Sequence, residues 1–320
     1  MKNYLPLVSV CMPAYNAEKY ISQALDSVLE QSYPNIEIVV VNDGSKDRTA
    51  NVLQSYIEKG VHVIHQENRG QCAAANTAFR HSTGDYIKFF DADDILSNDF
   101  IANQVERLKG KNDEVASASW GRFLQDDINT FSRQQETVYK DMLPMDWLVA
   151  SMENGPNMMQ CGLWLIPRKV LAVSGLWDER LSLINDFDFF IRVILAGKKV
   201  LFTENAILYY RSGLEQSLSG QKSKKALESA YLSTKLGVET ILQYEDSPRT
   251  RRICADAFQG WKYQFYPFDL GLYQNAEEYI KKLGGSAFRF PAGGATKIVS
   301  DIIGWKSTKR LKLYFNRRVR

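Results

Sequence analysis

Residues 8–12 read VSVCM, residues 36–41 read IEIVVV and residues 61–64 read VHVI, and a stretch with helical periodicity follows each run. After the first run, apolar side chains recur at the spacing of one helix face, namely Ile21, Ala24, Leu25, Val28 and Leu29. A fourth apolar run, YIKFF, occupies residues 86–90. Strands that are apolar on both faces and alternate with helices predict an α/β fold with a parallel sheet covered by helices.

Polar residues follow three of these predicted strands. They are residues 42–45 (NDGS), 68–70 (NRG) and 91–94 (DADD). Each has a structural interpretation, because Asp-Gly forms turns and an aspartate can cap the next helix. Ligands of parallel sheets, however, bind outside the carboxyl ends of the strands. Three such ends together therefore favour a binding site.

The pair Asp91 and Asp93 suggests a metal. If the strand geometry continues through them, both side chains point to the same face, and carboxylate oxygens suit Mg²⁺ or Mn²⁺. Residues 13–16 (PAYN), after the first strand, do not form a G-x-G-x-x-G loop, and the chain has no P-loop motif. A diphosphate would then be held mainly by metal and arginine, which disfavours dehydrogenases and P-loop NTPases.

The rest of the chain is less regular. Further strands are predicted at residues 161–166 and 200–208, with an amphipathic helix between them, and only helical patterns remain after about residue 216. From Lys297 onward eight basic residues face a single acidic one, Asp301, with apolar residues among them. Such a tail either binds an anionic membrane or packs as a terminal helix with solvated charges.

Composition narrows the class of protein. The chain has 320 residues, 45% hydrophobic and 24% charged, with a formal net charge of +3, which is too small to indicate a nucleic-acid partner. The cysteines are scattered without a C-x-x-C pair, as suits a reducing compartment. No apolar run approaches the ~20 residues of a membrane span. We expect a cytoplasmic protein, with peripheral contact at the inner face of the cell membrane if the tail binds it.

Residues 8–16 (VSVCMPAYN) and 39–47 (VVVNDGSKD), then 67–70 (ENRG) and the acidic cluster at Asp91, resemble glycosyltransferase family 2 in order and spacing. The match is close over about the first hundred residues and weaker at residues 175–179, 186–192 and 209–211. The resemblance implies a GT-A type α/β fold, a mostly parallel central sheet flanked by helices. It implies a catalytic domain at residues 1–215, with a nucleotide-binding part (about 1–110) and an acceptor-binding part (about 111–215). Residues 216–320 then form a helical C-terminal region with a basic tail.

The resemblance also assigns the nucleotide-binding residues. It implies that Asp43 accepts a hydrogen bond from the base, usually uracil. Pro13 and Tyr15 would shape the base pocket, and Arg69 would contact the nucleotide.

The resemblance assigns the reacting end as well. Asp91 would hold the ribose or share the metal, Asp93 would be the principal metal ligand, and Ala92 lies between them in the same nucleotide-sugar-binding segment. Asp186 would be the catalytic base, although it could merely cap a helix. Asn185 stands where the family has a glutamate, and no histidine follows Tyr210-Arg211.

We therefore expect an inverting, non-processive hexosyl- or N-acetylhexosaminyltransferase that uses Mn²⁺ or Mg²⁺. It would move one sugar from a nucleotide sugar, most simply a UDP-sugar, to a hydroxyl of a glycan or lipid-linked acceptor in surface polysaccharide biosynthesis. The alternatives are a non-catalytic nucleotide-sugar-binding homologue and a sugar nucleotidyltransferase. Trp177 is a candidate sugar contact or a core residue, and Trp120 and Gln160 could line the acceptor side or simply pack.

Overall fold

The structure is a computed structural model that describes residues 5–124, 126–153, 155, 159–214 and 223–318. The strands are β1 (Val8–Ala14), β2 (Ile36–Asp43), β3 (His62–Gln66), β4 (Tyr86–Phe89), β5 (Ile95–Leu96), β6 (Val115–Leu124), β7 (Asp127–Arg133), β8 (Ile166–Pro167) and β9 (Val200–Ser212). The helices are α1 (Ile21–Leu29), α2 (Thr49–Ile57), α3 (Gln71–Arg80), α4 (Phe100–Leu108), α5 (Pro144–Met152), α6 (Arg168–Ser174), α7 (Asn185–Ala196), α8 (Lys224–Tyr244), α9 (Pro248–Phe265), α10 (Leu270–Lys282), α11 (Ala295–Ile303) and α12 (Trp305–Arg318).

The first sheet has the order β3-β2-β1-β4-β8. Its first four strands are parallel, as predicted, and β8 pairs antiparallel with β4. Residues 8–12 of β1 are fully buried, as expected for a central strand of a parallel sheet. In register, Ala14 lies beside Asn42 and Cys11 beside Phe89, so the segments after β1, β2, β3 and β4 leave at one edge. This edge carries the candidate site.

A second sheet, β5-β9-β6-β7, was not predicted. The predicted strand at residues 200–208 is confirmed as β9, but it pairs parallel with β6 and antiparallel with β5 in this second sheet. The strand β6 reads VASASWGRFL. Its small and polar side chains do not indicate burial, yet nearly all of the strand is buried. The two sheets together form the mixed α/β fold that the sequence predicts.

The strand predicted at residues 161–166 is wrong. Cys161–Leu163 forms a turn of 3₁₀ helix, and only Ile166 and Pro167 pair as a strand. The cause is a buried lysine on β4: Lys88 Nζ donates to the carbonyl of Gly162 at 2.6 Å. Burial lowers the pKa of Lys88 well below its ordinary value. The apolar residues of this segment indicate that it is buried, but not whether it forms a strand or a helical turn.

The regular elements described after residue 223 are all helices. The helix α8 packs closely on α7: a Cβ on Gly237 would lie 2.8 Å from side-chain atoms of Phe187 and Ile191. Among the described helices, none combines the length and apolar character needed to cross a membrane.

Candidate active site

Asp43, the last residue of β2, organises the loop that follows β3. Its Oδ1 accepts from Gln66 Nε2 at 2.7 Å and from the backbone N–H of Arg69 at 2.9 Å, and its Oδ2 accepts from the N–H of Gly70 at 2.8 Å. Asp43 is buried, with only 2% of its surface exposed. Gly44 completes the junction, because its φ is +68° and a Cβ there would lie 2.8 Å from the backbone nitrogen of Asn68. Two of the three predicted strand ends are thus joined through one carboxylate.

Arg69 is bound to an acidic residue from a distant loop. Its guanidinium lies 2.9 Å from Glu179, which also pairs with Arg80 at 3.1 Å. Asn76 of α3 donates to the carbonyl of Trp177 and accepts from its N–H, at 2.9 and 3.1 Å. The segment around Trp177, where the family resemblance is weaker, therefore lies against the strand-end site.

The aspartate cluster does not continue the strand. β4 ends at Phe89 and residues 92–93 form a turn, so the expectation that Asp91 and Asp93 share a strand face is wrong. Arg211 holds this turn: its backbone N–H donates to Asp94 Oδ1 at 2.9 Å and its Nε to the Asp93 carbonyl at 2.7 Å. The Arg211 guanidinium is buried between the rings of Tyr20 and Phe123. Arg211 is thus a structural residue of the site that the sequence analysis did not assign.

The carboxylates nevertheless lie close enough to repel one another. Burial and the charge of Asp91 raise the pKa of Asp93 to about 7. Burial also raises the pKa of Asp91, and burial together with the neighbouring Asp93 and Asp91 charges raises that of Asp94 well above its ordinary value. One buried carboxylate oxygen, Asp94 Oδ2, has no hydrogen-bond partner.

These features fit a divalent cation shared with a ligand. Within the described residues, no three or more His, Cys, Asp or Glu side chains converge as a metal cage. Mg²⁺ and Mn²⁺ commonly use one or two carboxylates and complete their shell with phosphate oxygens and water. Asp91 and Asp93 are two hard oxygen donors at the carboxyl edge of the parallel sheet, and a cation there would offset the cost of burying both charges. They are therefore suited to hold such an ion.

Asp186 lies in the first turn of α7. Burial, then the charge of Asp91, raises its pKa to about 7, while the backbone N–H groups of Phe187 and Met159 lower it. The preceding Ile184 has φ +52°, and its carbonyl accepts from Ser233 Oγ of α8 at 2.7 Å. The C-terminal helices therefore help to position Asp186.

Asn185 connects this helix to the aspartate cluster. Its Nδ2 donates to Gln71 Oε1 at 3.1 Å and lies 3.2 Å from Cys72 Sγ. Gln71 Nε2 in turn donates to Asp91 Oδ1 at 2.9 Å. In the sequence Asn185 is visible only as a missing charge, and Gln71 was not among the predicted site residues. No local signal marks Gln71, since its role depends on partners far away in the chain.

The structure also shows where the remaining residues of the predicted nucleotide-sugar site lie. Pro13 and Trp177 line a small hollow together with Gln71, Cys72, Asp91 and Cys161. Tyr15 is exposed beyond the end of β1, whereas Ala92 is buried. Trp177 is also a core residue, because its ring stacks on Phe189 at 3.9 Å.

Trp120, one of the two residues considered for acceptor binding, is buried and packs edge-on against Tyr210. Gln160 is 4% exposed, and neither atom of its amide has a hydrogen-bond partner. Asp188 and Arg192 form a 2.8 Å ion pair that is mostly buried rather than on the surface.

Comparison with known proteins identifies the family. The family model described as glycosyl transferase family 2 matches residues 9–172. The chain belongs to glycosyltransferase family 2. Three relatives illustrate its range. An uncharacterized glycosyltransferase of Rickettsia felis is 33% identical over 77% of this chain and 41% of its own length. One from Haemophilus influenzae is 30% identical over 75% of this chain and 94% of its own. A putative teichuronic acid biosynthesis glycosyltransferase, TuaG of Bacillus subtilis, is 37% identical over 45% and 59%.

Solved structures agree with the GT-A type fold of this family 2 glycosyltransferase. S. aureus TarS 1-349, crystallised with UDP-GlcNAc, superposes with a TM-score of 0.71 at 18% identity, covering 87% of this chain and 81% of that one. The mannosyltransferase PcManGT from Pyrobaculum calidifontis, with GDP-Man and Mn²⁺, gives a TM-score of 0.54 at 19% identity, covering 97% and 84%. At these identities the likeness concerns the fold alone.

Proposed function

We propose that this glycosyltransferase moves one sugar at a time from a nucleotide sugar, in the first instance a UDP-sugar, to an acceptor hydroxyl with inversion at the anomeric carbon. One observation carries the proposal. Burial, then the charge of Asp91 at the carboxyl edge of the parallel sheet, raises the pKa of Asp186 to about 7. A candidate base therefore lies near a candidate cation site. Sugar transfer from a nucleotide sugar uses both, because the acceptor hydroxyl loses a proton while the diphosphate leaves with negative charge.

Asp43 and its loop form the nucleotide end of the proposed site. A carboxylate has about four acceptor positions, and three hydrogen bonds to Asp43 are present. One position is left for an N–H of the base, with Pro13 and Tyr15 beside it. Arg69 would exchange Glu179 for the nucleotide when the donor binds, which is feasible because this ion pair is partly exposed.

Asp93, with Asp91, would hold Mn²⁺ or Mg²⁺ at the diphosphate. When bound, such a cation offsets the negative charge that develops on the leaving diphosphate. The two carboxylates alone cannot do this, because they add negative charge at the same edge. The Mn²⁺ in the PcManGT structure supports the assignment.

Asp186 would act as the general base. Its carboxylate takes the proton of the acceptor hydroxyl as that oxygen bonds to the anomeric carbon and the bond from this carbon to the diphosphate oxygen breaks. A base works best when its pKa lies near the working pH, and about 7 meets this condition.

The acceptor and pathway are assigned by analogy. UDP-GlcNAc in the TarS structure and the name of TuaG favour a hexosyl- or N-acetylhexosaminyltransferase acting on a glycan or lipid-linked acceptor in surface polysaccharide biosynthesis. We place nucleotide binding in residues 1–110, acceptor binding in 111–215 and a helical region in 216–320. The protein would work in the cytoplasm, with its basic tail in peripheral contact with the inner face of the cell membrane.

A thermal-shift panel of UDP, GDP, dTDP, CDP and CMP, with and without Mn²⁺, tests the donor assignment. Ligand at a hundred times its dissociation constant stabilises the folded state by about 2.7 kcal/mol. We expect UDP with Mn²⁺ to give the largest shift. Equal shifts with and without Mn²⁺ would contradict the metal assignment, and a larger shift with another nucleotide would replace UDP. Binding without UDP release on any acceptor would favour the non-catalytic homologue.

A further inference from the structure

The helix α11 presents an uncovered apolar face. Ile298, Val299, Ile302 and Ile303 lie at i, i+1, i+4 and i+5, which places them on one side of the helix. None of the residues of α11 is buried, and Ile298 and Ile302 are 63% and 76% exposed. We call this the α11 face. Four neighbouring β-branched side chains left in water are unusual on a soluble protein and indicate a binding surface.

The adjacent helix α12 is anchored at its start. Trp305 contacts the ring of Tyr263 at 4.9 Å and that of Tyr266 at 5.4 Å. Thr308, one turn later, is buried, and Lys309 donates to the Tyr263 carbonyl. The two helices therefore differ: the first turn of α12 packs on α9 and the segment after it, while α11 does not pack in the core. Packing on the enzyme, one of the two interpretations of the basic tail, accounts for the start of α12 but not for α11.

The segment that carries the α11 face is basic. Lys297 lies on α11 itself, Lys306 and Arg310 lie on α12 over the ring of Tyr266, and all three are exposed. Asp301 is the sole acidic residue from position 297 to the chain end. The side chains of residues 317, 318 and 320, also basic, lie outside the described set. An uncovered apolar helix face within a net-basic segment is the pattern of an interfacial membrane helix.

We propose that the α11 face inserts into an anionic lipid bilayer while α12 fixes its orientation on the enzyme. This deepens the proposed function, on which it rests for its purpose, because it names the surface that brings the site to a lipid-linked acceptor. Each basic side chain near an anionic surface strengthens binding about fivefold. Each isoleucine removed from water adds about tenfold or more.

Charge favours a bilayer over a second copy of this chain. Two copies joined through the α11 face would bring two net-basic tail segments together, and like charges at an interface oppose association. Anionic headgroups instead complement those charges. The helix is also too short to span, since its nine residues rise only about 14 Å, so it would lie in the interface.

Truncation before α11 is a poor test, because it also removes Trp305 and uncovers the aromatic cluster around Tyr263. The better variant is Ile298→Gln with Ile302→Gln in the full chain. Glutamine is a good helix former, so α11 should persist. The matched control is Leu143→Gln with Val173→Gln, two apolar residues of similar exposure, 60% and 73%, outside the tail.

The experiment is flotation of the full-length protein with vesicles of phosphatidylglycerol and phosphatidylcholine in equal parts, and with vesicles of phosphatidylcholine alone. We expect the wild type and the control variant to float with the anionic vesicles at low salt and to be released as salt screens the attraction. The variant in the α11 face should bind about a hundredfold more weakly. A UDP thermal shift on the same samples checks the donor site separately, so a failure of the donor assignment leaves the flotation result interpretable.

Three outcomes would overturn the proposal. The first is a wild type that ignores anionic vesicles at low salt, and the second is an α11 variant that floats as well as the wild type. The third is self-association without lipid that the α11 variant abolishes, because the face would then bind a second copy.

Discussion

Replacing Asp186 by asparagine tests the proposed base directly. The amide keeps the shape of the side chain and an oxygen that can face the nearby backbone N–H groups of Phe187 and Met159. It cannot take a proton from the acceptor. Loss of a general base costs about 10²–10⁴-fold in turnover. UDP affinity should change little, since the base acts on the acceptor.

The pH dependence of the wild type follows from the same group. Burial, then the charge of Asp91, raises the pKa of Asp186 to about 7, and only the ionised carboxylate can act as base. Turnover should therefore rise about tenfold from about pH 6 to about pH 8 and then level off. A cation bound beside Asp91 weakens the second cause and shifts the midpoint toward lower pH. The asparagine variant should lack this rise.

Stability should change in the opposite sense. Because the folded-state pKa of Asp186 is raised, the protonated form is the one that the fold favours. Its contribution to stability is full below the unfolded pKa of about 4 and is lost as pH rises through about 7. In metal-free protein, Asp186→Asn should thus gain thermal stability relative to wild type between about pH 5 and about pH 8.

The assay is UDP release at saturating donor and acceptor across this pH range, with melting temperatures measured in parallel. Asp269→Asn is the matched control, since Asp269 caps α10 by accepting from the N–H of Leu272 at 2.9 Å. It makes the same chemical change at a helix start with no proposed catalytic role. Near wild-type turnover of Asp186→Asn, comparable to that of Asp269→Asn, would refute the base assignment and leave Asp186 as a structural residue.

Three further changes test the rest of the site. Asp93→Ala should lower turnover at least about a hundredfold, as should chelation of the wild type, because charge on the leaving diphosphate is then not offset; full activity in excess chelator would contradict this. Asp43→Ala should destabilise the protein by about 2–4 kcal/mol in urea unfolding and weaken UDP binding, because three donors lose their acceptor; unchanged stability would show that water replaces the carboxylate. Gln71→Leu should lower kcat about 10–100-fold with little effect on the donor KM, since it breaks the link from Asn185 to Asp91. If Gln71 were purely structural, the change would instead lower the melting temperature and leave the kcat of the folded enzyme intact.

The first sheet could be predicted because its signal is local. Residues 8–12 are apolar on both faces, and the helices between the strands carry their own periodicity, so neither depends on a distant partner. The second sheet lacks such a signal. In β6, Ser119 is buried because its hydroxyl bonds the carbonyls of Glu204 and Ala206 on β9, both at 3.0 Å. A serine satisfied from more than eighty residues away looks like a surface serine in the sequence.

The site divides in the same way. Aspartates at strand ends and at a helix start are visible in the sequence, and the motifs around them resemble the family closely enough to predict it. The link from Asn185 through Gln71 to Asp91 was not visible, since the first two residues are 114 positions apart. Asn185 looked like the loss of a charge, whereas the fold uses it as a hydrogen-bond donor.

By itself, the sequence determined the α/β sheet, the family and the identity of the candidate aspartates, because strand and helix patterns and strand-end motifs are properties of short segments. Only the tertiary structure decided which of these groups interact and how easily they ionise. The raised pKa of Asp186 arises from burial and from Asp91 on another element. The position of Asp186 depends on α8, where Ser233 bonds the carbonyl of Ile184 and Gly237 allows close packing on α7. Distances and burial of this kind come from packing between segments far apart in the chain, and no local pattern specifies them.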